Sequence, residues 1–202
     1  MGEAAAAILA RFALPHPVDA ALIERIAAFF ALRARWAQAH NLSGPKALAT
    51  PEETDLPDGA ALAVLAVADR PLLDVGAGSG VPAVLTALLR PELTVRAIEP
   101  SAKRAAFLRQ AGATLGLNRF EVMRAAWPVA LTEPVQIVSR AVFPVPVWPA
   151  QAAAGGPLAE TILRYLARER PPFGVDGYKE SSALDYAGPR GAAHRLERWQ
   201  RQ

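Results

Sequence analysis

The 202 residues of the chain carry a formal net charge of +3, and 52% of them are hydrophobic, which is enough to build one globular core. Cysteine is absent, so disulfides, cysteine-ligated zinc and thiol catalysis are excluded. The apolar run from Ala60 to Ala68 is too short to span a membrane, and the N-terminus lacks the basic segment of a secretory signal. We therefore expect a cytoplasmic protein with no membrane contact. The small positive excess suits a polyanionic partner and an ordinary soluble protein equally well.

The N-terminal third is predicted to be largely helical. Residues 1–12 are rich in Ala and are typical of the first turns of a helix, and apolar residues recur at helical spacing from Val18 to His40. Arg33 is expected to lie largely off the apolar stripe of that second helix. Residues 41–59 are rich in turn formers and predict a loop with room for one short helix, and Ala60 to Ala68 follows as a further helix.

Strands and helices alternate in the middle of the chain. The pattern predicts strands at Pro71–Val75, Leu93–Ile98, Phe120–Met123 and Val135–Ser139, with helices at Pro82–Leu89 and Ser101–Leu115. Ser101 is the expected N-cap of the second of these helices. Such an alternation favours an α/β fold in which a mostly parallel sheet has helices on both faces.

The C-terminal part gives weaker signals. Residues 141–157 contain several prolines and are predicted to form neither a regular helix nor a central strand. Leu158 to Arg170 reads as a helix, and Val175 to Trp199 reads as a closing hairpin. With no internal repeat and no long linker, we predict a single domain, in which residues 1–68 form a helical cap on a core of residues 70–202.

The most informative stretch is a glycine-rich turn, LLDVGAGSGVPAV, at residues 72–84. Gly76, Gly78 and Gly80 allow the backbone to turn sharply and to approach a ligand closely, and the following helix would point free N–H groups at that ligand. The third position of the dinucleotide-binding fingerprint falls on Val81, where that fingerprint needs Gly or Ala. The turn therefore departs from the pattern typical of NAD sites.

Two acidic residues narrow the choice of ligand. Asp74 comes directly before the turn, where it would repel a diphosphate but would favour a cationic ligand that lacks phosphate. Glu99 ends the next predicted strand, where its carboxylate can accept hydrogen bonds from both hydroxyls of a ribose. These features favour S-adenosylmethionine (SAM), which has a ribose, a sulfonium and an ammonium group. NAD and a purely structural turn without a ligand remain as alternatives.

Several motifs together resemble one family. They are the glycine turn from Asp74 to Pro82, the KRAAFLRQ segment from Lys103 to Gln110, the SRAVF segment from Ser139 to Phe143, and RWAQAHNLS at residues 35–43. Over most of residues 29–143 the chain resembles the rRNA small-subunit methyltransferase G family, also called glucose-inhibited division protein B. The KR-FLRQ and SRA elements are the more specific ones, because many methyltransferases share the glycine turn.

The resemblance implies a Rossmann-like class I methyltransferase fold with an N-terminal helical extension and with SAM as the cofactor. It further implies methylation of N7 of a guanine in 16S rRNA of the small ribosomal subunit, by a monomer that needs no metal. In neutral guanine N7 carries a lone pair and no proton, so the reaction requires no general base and can depend on positioning. The lack of an obvious catalytic dyad agrees with this, and no catalytic residue is assigned.

The resemblance also assigns roles to individual residues. The residues expected to contact the cofactor are Asp74, Gly76, Ala77, Gly78, Val81, Glu99, Ala126, Trp127 and Arg140. Among them, Glu99 holds the ribose, Ala126 and Trp127 flank the adenine, and Arg140 lies at the mouth of the site. The residues expected to contact RNA are Lys46, Lys103, Arg104 and Arg140. For Lys103 and Arg104, an ordinary solvated helix face is the alternative.

Three departures separate this chain from the family pattern. Asp55 and Asp58 stand where the family has the His and the Asp of a His-x-x-Asp-Ser element, which places an extra anion near the expected RNA face. The segment RAAWP, residues 124–128, lacks an acid that could accept from the adenine amino group, so Trp127 either stacks on adenine or fills its pocket. The family's C-terminal Leu-Lys-Gly has no counterpart. A paralogue that methylates another RNA or a small molecule, and a non-catalytic methyltransferase-fold binding protein, therefore remain as alternatives.

Overall fold

The computed structural model describes residues 2–40, 50–167 and 174–202. Its helices are α1 (Gly2–Leu9), α2 (Ala20–His40), α3 (Pro51–Thr54), α4 (Leu56–Leu65), α5 (Ala83–Leu89), α6 (Ala102–Thr114) and α7 (Trp148–Ala153). Its strands are β1 (Leu72–Val75), β2 (Val95–Ile98), β3 (Phe120–Met123), β4 (Val135–Ser139), β5 (Ala159–Leu166), β6 (Tyr178–Ala187) and β7 (Ala193–Arg201). A 3₁₀ turn, Pro189–Gly191, connects β6 to β7.

The strands form one sheet in the order β3-β2-β1-β4-β5-β7-β6. The neighbours from β3 to β5 pair in parallel, whereas β7 is antiparallel to β5, and β6 is antiparallel to β7. Every residue of β1 and β4 is buried, as expected for central strands that are covered on both faces. The predicted α/β fold with a mostly parallel sheet and the predicted closing hairpin are thereby confirmed.

Apolar side chains form a separate core on each face of the sheet. The larger core joins α2, α5 and α6, and it includes Phe29, Leu85 and Phe107. The smaller core surrounds Trp148 and Ile162. Because parallel strands end at the same edge, this arrangement brings the residues that follow β1, β2 and β4 together at one edge of the sheet.

Three predictions about local structure are wrong. Ala159–Leu166 is a strand rather than part of a helix, because it lies between β4 and β7 with both faces covered and therefore carries an almost continuous apolar run. Helix α4 begins at Leu56, inside the predicted loop, and Pro57 suits its first turn. Trp148–Ala153 forms a short helix in the proline-rich segment, where Pro149 again lies in the first turn.

Arg33 also differs from its prediction, since it is buried at 1% exposure instead of lying off the apolar stripe of α2. The short helix expected between residues 41 and 59 is confirmed by α3. Lys46 and the NLS part of the N-terminal motif lie outside the described residues. Among the described helices, none is both long and apolar enough to cross a membrane.

Candidate functional site

The glycine turn follows β1 and is held against β2. The backbone N–H groups of Gly76 and Ala77 donate to the carbonyl of Ile98 at 2.8 and 3.1 Å. Gly76 and Gly78 have positive φ values of 74° and 56°, a conformation that favours glycine. A Cβ atom on Gly76 would lie 2.5 Å from Cγ2 of Val142, whereas one on Gly78 would meet nothing closer than 3.7 Å. The turn is therefore closed on one side by Val142 and open at Gly78.

Asp74 is a buried carboxyl directly below this turn. Its Oδ2 accepts from the backbone N–H of Ala83 at 3.2 Å, while its Oδ1 is buried and has no hydrogen-bond partner. Burial raises the pKa of Asp74 to about 7, and the nearby Glu99 adds to that rise, while the hydrogen bond from Ala83 and the charge of Arg140 oppose it. An added cation would favour the ionised form of this carboxyl.

Glu99 closes the turn from the end of β2 and is 2% exposed. Its Oε2 accepts from the backbone N–H of Gly78 at 2.9 Å, and its Oε1 accepts from the backbone N–H of Ser101 at 2.9 Å. Each carboxylate oxygen can accept a further hydrogen bond. Glu99 thus both fixes the open part of the turn and retains acceptor capacity beside it.

Arg140, directly after β4, is clamped between two carboxylates from the N-terminal region. Its Nε lies 2.5 Å from Oδ2 of Asp58, and its Nη2 lies 3.1 Å from Oδ1 of Asp55. The other oxygen of Asp55 accepts from Nη2 of Arg33 at 2.6 Å. Burial by itself would lower the pKa of Arg140, but Asp58 and Asp55 raise it above its ordinary value, so the guanidinium stays charged.

The C-terminal hairpin completes the environment of Asp58. The hydroxyl of Tyr186 donates to Oδ1 at 2.6 Å, and Nδ1 of His194 lies 3.4 Å from the same oxygen. The hydroxyl of Tyr165 donates to the backbone carbonyl of Asp58 at 2.8 Å. Burial would raise the pKa of Asp58, but Arg140, His194 and Tyr186 together lower it, so this carboxylate is ionised and fully engaged.

A cavity of about 460 Å³ opens beside this cluster. Its described lining residues are Asp58, Arg140, Ala141, Val145, Tyr165, Leu166, Ala167 and His194. Ala141 has a positive φ of 59°, which is uncommon for a residue with a side chain and is found mostly where the surrounding structure imposes it. The cavity lies at the carboxyl ends of β4 and β5, the usual place for ligands in such sheets.

The structure places the other predicted site residues as follows. Ala77 and Val81 are buried within the turn, whereas Ala126 is exposed after β3. Trp127 donates from its ring nitrogen to the carbonyl of Gln151 at 2.7 Å, and its ring edge lies against Gly155. Trp127 therefore packs toward the end of α7, which fixes its indole independently of any ligand.

Lys103 and Arg104 are exposed in the first turn of α6, next to Glu99 in the chain. Neither forms a described ion pair. The side chain of Ser101 accepts from the backbone N–H of Arg104 at 3.4 Å, which confirms the predicted N-cap. Two unpaired cations thus lie close to the open side of the glycine turn.

Sequence reasoning missed four residues of this cluster: Arg33, Tyr165, Tyr186 and His194. Arg33 was assigned to solvent, and Tyr165 lies in the segment predicted to be helical. The hairpin places Tyr186 and His194 opposite each other in adjacent strands, but nothing local connects either of them with Asp58. Among the described residues, no group of three or more His, Asp or Glu side chains could hold a metal ion.

Comparison with known proteins gives curated relatives named ribosomal RNA small subunit methyltransferase G. The protein from Acidothermus cellulolyticus is 42% identical over 106 residues, which cover 52% of this chain and 47% of that protein. The protein from Chromohalobacter salexigens is 40% identical over 128 residues, which cover 61% and 60% of the two chains. The chain spans about half the length of the first curated relatives that it matches.

Solved structures share the fold at low sequence identity. Pyrococcus horikoshii TYW2, determined in complex with MeSAdo, superposes with a TM-score of 0.55 at 16% identity, covering 72% of this chain and 62% of that one. The human methyltransferase 10 domain containing protein gives a TM-score of 0.52 at 12% identity, covering 65% and 71%. At such identities the likeness supports the fold alone, which is that of Rossmann-like methyltransferases.

The family comparison is decisive for classification, because it extends from α2 to α7 and includes the glycine turn, Glu99, α6 and Arg140. The model described as rRNA small subunit methyltransferase G matches residues 22–151, which is more than half of the chain, and the chain therefore belongs to that family.

Proposed function

We propose that this chain is a SAM-dependent methyltransferase that methylates N7 of a guanine in 16S rRNA of the small ribosomal subunit. Membership of the family supports the activity, and the geometry below supports the cofactor. We further propose that the chain acts in the cytoplasm as a metal-free monomer. In this proposal it is a single domain, in which a helical cap (residues 1–68) covers a Rossmann-like core (residues 70–202).

One observation carries the cofactor proposal, namely the buried Asp74 below an open glycine turn. Its Oδ1 has no partner, and burial raises its pKa to about 7, so the interior lacks a positive charge that this carboxyl could use. SAM has a sulfonium and an ammonium group and no phosphate. The residues present therefore fit SAM better than they fit a dinucleotide, whose diphosphate Asp74 would repel.

The rest of the turn fits the other parts of SAM. Gly78 leaves open space where a side chain would stand, and Glu99 keeps acceptor capacity for two ribose hydroxyls. Gly76, Ala77 and Val81 would line the methionine and ribose end, and Ala126 and Trp127 would flank the adenine. Because Trp127 is fixed by Gln151, its indole would form a rigid edge of the adenine site.

When bound, SAM supplies an electrophilic methyl group. The chain has to hold N7 of the guanine in line with that group, because N7 already carries its lone pair and needs no deprotonation. Positioning of this kind contributes on the order of 7–11 kcal/mol to lowering a reaction barrier. The fully engaged Asp58 and the constrained Ala141 fix Arg140 at the edge of the site, and a fixed group can position a substrate without reorganising.

Lys103 and Arg104 would hold the RNA backbone beside the cofactor. They are exposed, and their charges are not neutralised by a described acid, so each can neutralise one phosphate. Arg140 differs, because Asp55 and Asp58 already neutralise it, and we assign it to the substrate base and not to a phosphate. Lys46 is retained as an RNA contact by its position after the N-terminal motif alone.

Two measurements test the proposal. Calorimetric titration of SAM and of its demethylated product should give dissociation constants near 1 μM, about −8 kcal/mol. Labelled SAM should then transfer methyl to small ribosomal subunits that lack the N7 mark, with an authentic family member as the positive control. Absence of SAM binding would refute the enzyme and leave a non-catalytic binding protein. SAM binding with transfer only to another acceptor would refute the rRNA substrate and indicate a paralogue.

A further inference from the structure

The cavity beside Arg140 is continuous with the glycine turn. Arg140 and Ala141 line the cavity, while the next residue, Val142, packs on Gly76 of the turn. A single residue therefore separates the wall of the cavity from the cofactor turn. A methyl acceptor must contact the methyl donor, so the acceptor has to lie in space that adjoins this turn, and the cavity meets that condition.

The lining of the cavity suits a flat, mostly apolar group. Val145, Leu166, Ala141 and Ala167 contribute aliphatic surface, and Tyr165 contributes an aromatic ring whose hydroxyl is already bound to the backbone of Asp58. The volume of about 460 Å³ lies within the roughly 300–1,000 Å³ typical of small-molecule sites. One purine base with its ribose fits such a site, whereas a duplex or a stacked strand does not.

Arg140 is the polar group that the cavity still offers. The oxygens of Asp58 are taken by Arg140, Tyr186 and His194, so the cavity presents no unengaged carboxylate. Of the three guanidinium nitrogens of Arg140, Nε and Nη2 face Asp58 and Asp55, and Nη1 donates to no described residue. The side chain is 27% exposed, so Nη1 is accessible as a donor from a permanently charged group.

We propose that this cavity takes a single guanine base, turned out of the RNA, and that Nη1 of Arg140 binds its O6. Arginine usually holds guanine through two nitrogens that bind O6 and N7 together. Here Asp55 and Asp58 leave one nitrogen, so the contact to O6 is single and N7 keeps its lone pair for the methyl group. Enzymes that modify a base commonly extrude it into a pocket of this kind. The inference rests on the proposed function, for which it names the acceptor pocket.

Two valines of one loop give a matched test. Val145 lines the cavity, whereas Val147 is 42% exposed and is not among the lining residues. Val145→Trp should fill the pocket and lower methyl transfer to small subunits roughly 100-fold, the cost of misplacing reacting atoms. Val147→Trp should transfer at the wild-type rate, and both variants should keep the wild-type affinity for SAM, which also reports their folding. If Val145→Trp does not fold, Ala141→Phe fills the same pocket from the other side.

A second measurement does not depend on transfer. Equilibrium dialysis with guanosine and adenosine 5′-monophosphate, in the presence of S-adenosylhomocysteine, reads the pocket directly at millimolar concentration. The wild type and Val147→Trp should bind the guanosine nucleotide more tightly, because adenine has an amino group in place of O6, and Val145→Trp should bind neither.

The two assays separate this inference from the proposed function. Equal transfer by the two Trp variants, or equal nucleotide binding by them, would overturn the pocket even where the wild type methylates rRNA. Failure of the wild type to bind the guanosine nucleotide would overturn it as well. Guanosine binding that Val145→Trp abolishes, with no transfer to rRNA by the wild type, would support the pocket and refute the rRNA substrate.

Discussion

Asp74→Asn is expected to stabilise the folded chain at neutral and alkaline pH and to weaken its affinity for SAM. Asp74 is 1% exposed, and burial raises its pKa to about 7 against the opposing hydrogen bond from the backbone of Ala83. Asparagine has the same shape, retains an acceptor for that N–H group and cannot ionise. The substitution therefore removes the free-energy cost of a buried charge and also removes the charge that would meet a cationic cofactor.

The magnitude follows from the change in pKa on folding. A rise from 3.8 to about 7 corresponds to about 4 kcal/mol, at about 1.4 kcal/mol for each pH unit. Because the folded pKa is the higher one, the stability that this group contributes is fully present below 3.8 and is lost as the pH rises to about 7. The variant lacks that loss, so its stability relative to the wild type should increase across this window. A buried amide with one unpaired end subtracts about 1–3 kcal/mol at every pH.

Urea unfolding of both proteins from about pH 4 to about pH 8 measures this difference, and the groups that they share cancel. Asp69→Asn is a matched control, because Asp69 is 65% exposed and its hydrogen bond to Arg70 lowers its pKa. Its stability contribution is lost only as the pH falls through that lowered pKa, so its difference from the wild type should stay flat above about pH 4. A difference for Asp74→Asn that is equally flat would refute the assignment of Asp74 as a strained buried acid. Calorimetry with SAM at about pH 8 should show weaker binding by the variant.

Three further predictions concern the turn, the buried cluster and the RNA face. Gly78→Ala and Gly156→Ala both place a side chain at positive φ in open space, so unfolding should show similar losses of about 1 kcal/mol, while calorimetry should show lost SAM affinity for Gly78→Ala alone. Asp55→Ala removes the carboxylate between Arg33 and Arg140 and should lower the free energy of unfolding by about 3 kcal/mol in urea titrations. Lys103→Glu should weaken rRNA binding and reduce its salt slope by about 1, whereas Lys179→Glu on the edge strand β6 should not; equal effects would remove Lys103 from the interface.

The parallel half of the fold was predictable because its signal is local. β1 and β4 are short apolar runs with turn residues on either side, and each is completed by the strand or helix beside it in the chain. The same logic failed for β5, where Ile162, Leu163 and Leu166 also have helical spacing. Burial on both faces removed the alternation that distinguishes a strand, and pairing with β4 and β7 decided the structure.

The candidate site divides in the same way. Asp74, the glycines and Glu99 lie within 26 consecutive residues, residues 74–99, and the chemistry of each follows from its place at the end of a strand. The charged cluster has no such local basis, because Arg33 comes from α2 and His194 from the last strand. Only the packed structure shows that these groups reach Asp55 and Asp58.

The exchange of a histidine for Asp55 acquires a physical meaning from this cluster. Taken alone, an extra anion near an RNA face would weaken binding. In the structure Asp55 is 3% exposed and lies between two guanidiniums, so its charge is balanced inside the protein and does not reach the RNA. Arg33 can be buried in α2 because Asp55 is there, and Arg140 gives up one nitrogen to the same carboxylate. The N-terminal cap is thereby tied to the end of β4 by charge. What remains of Arg140 for a substrate is a single fixed donor, and a single donor suits an acceptor whose neighbouring ring nitrogen must stay free to be methylated.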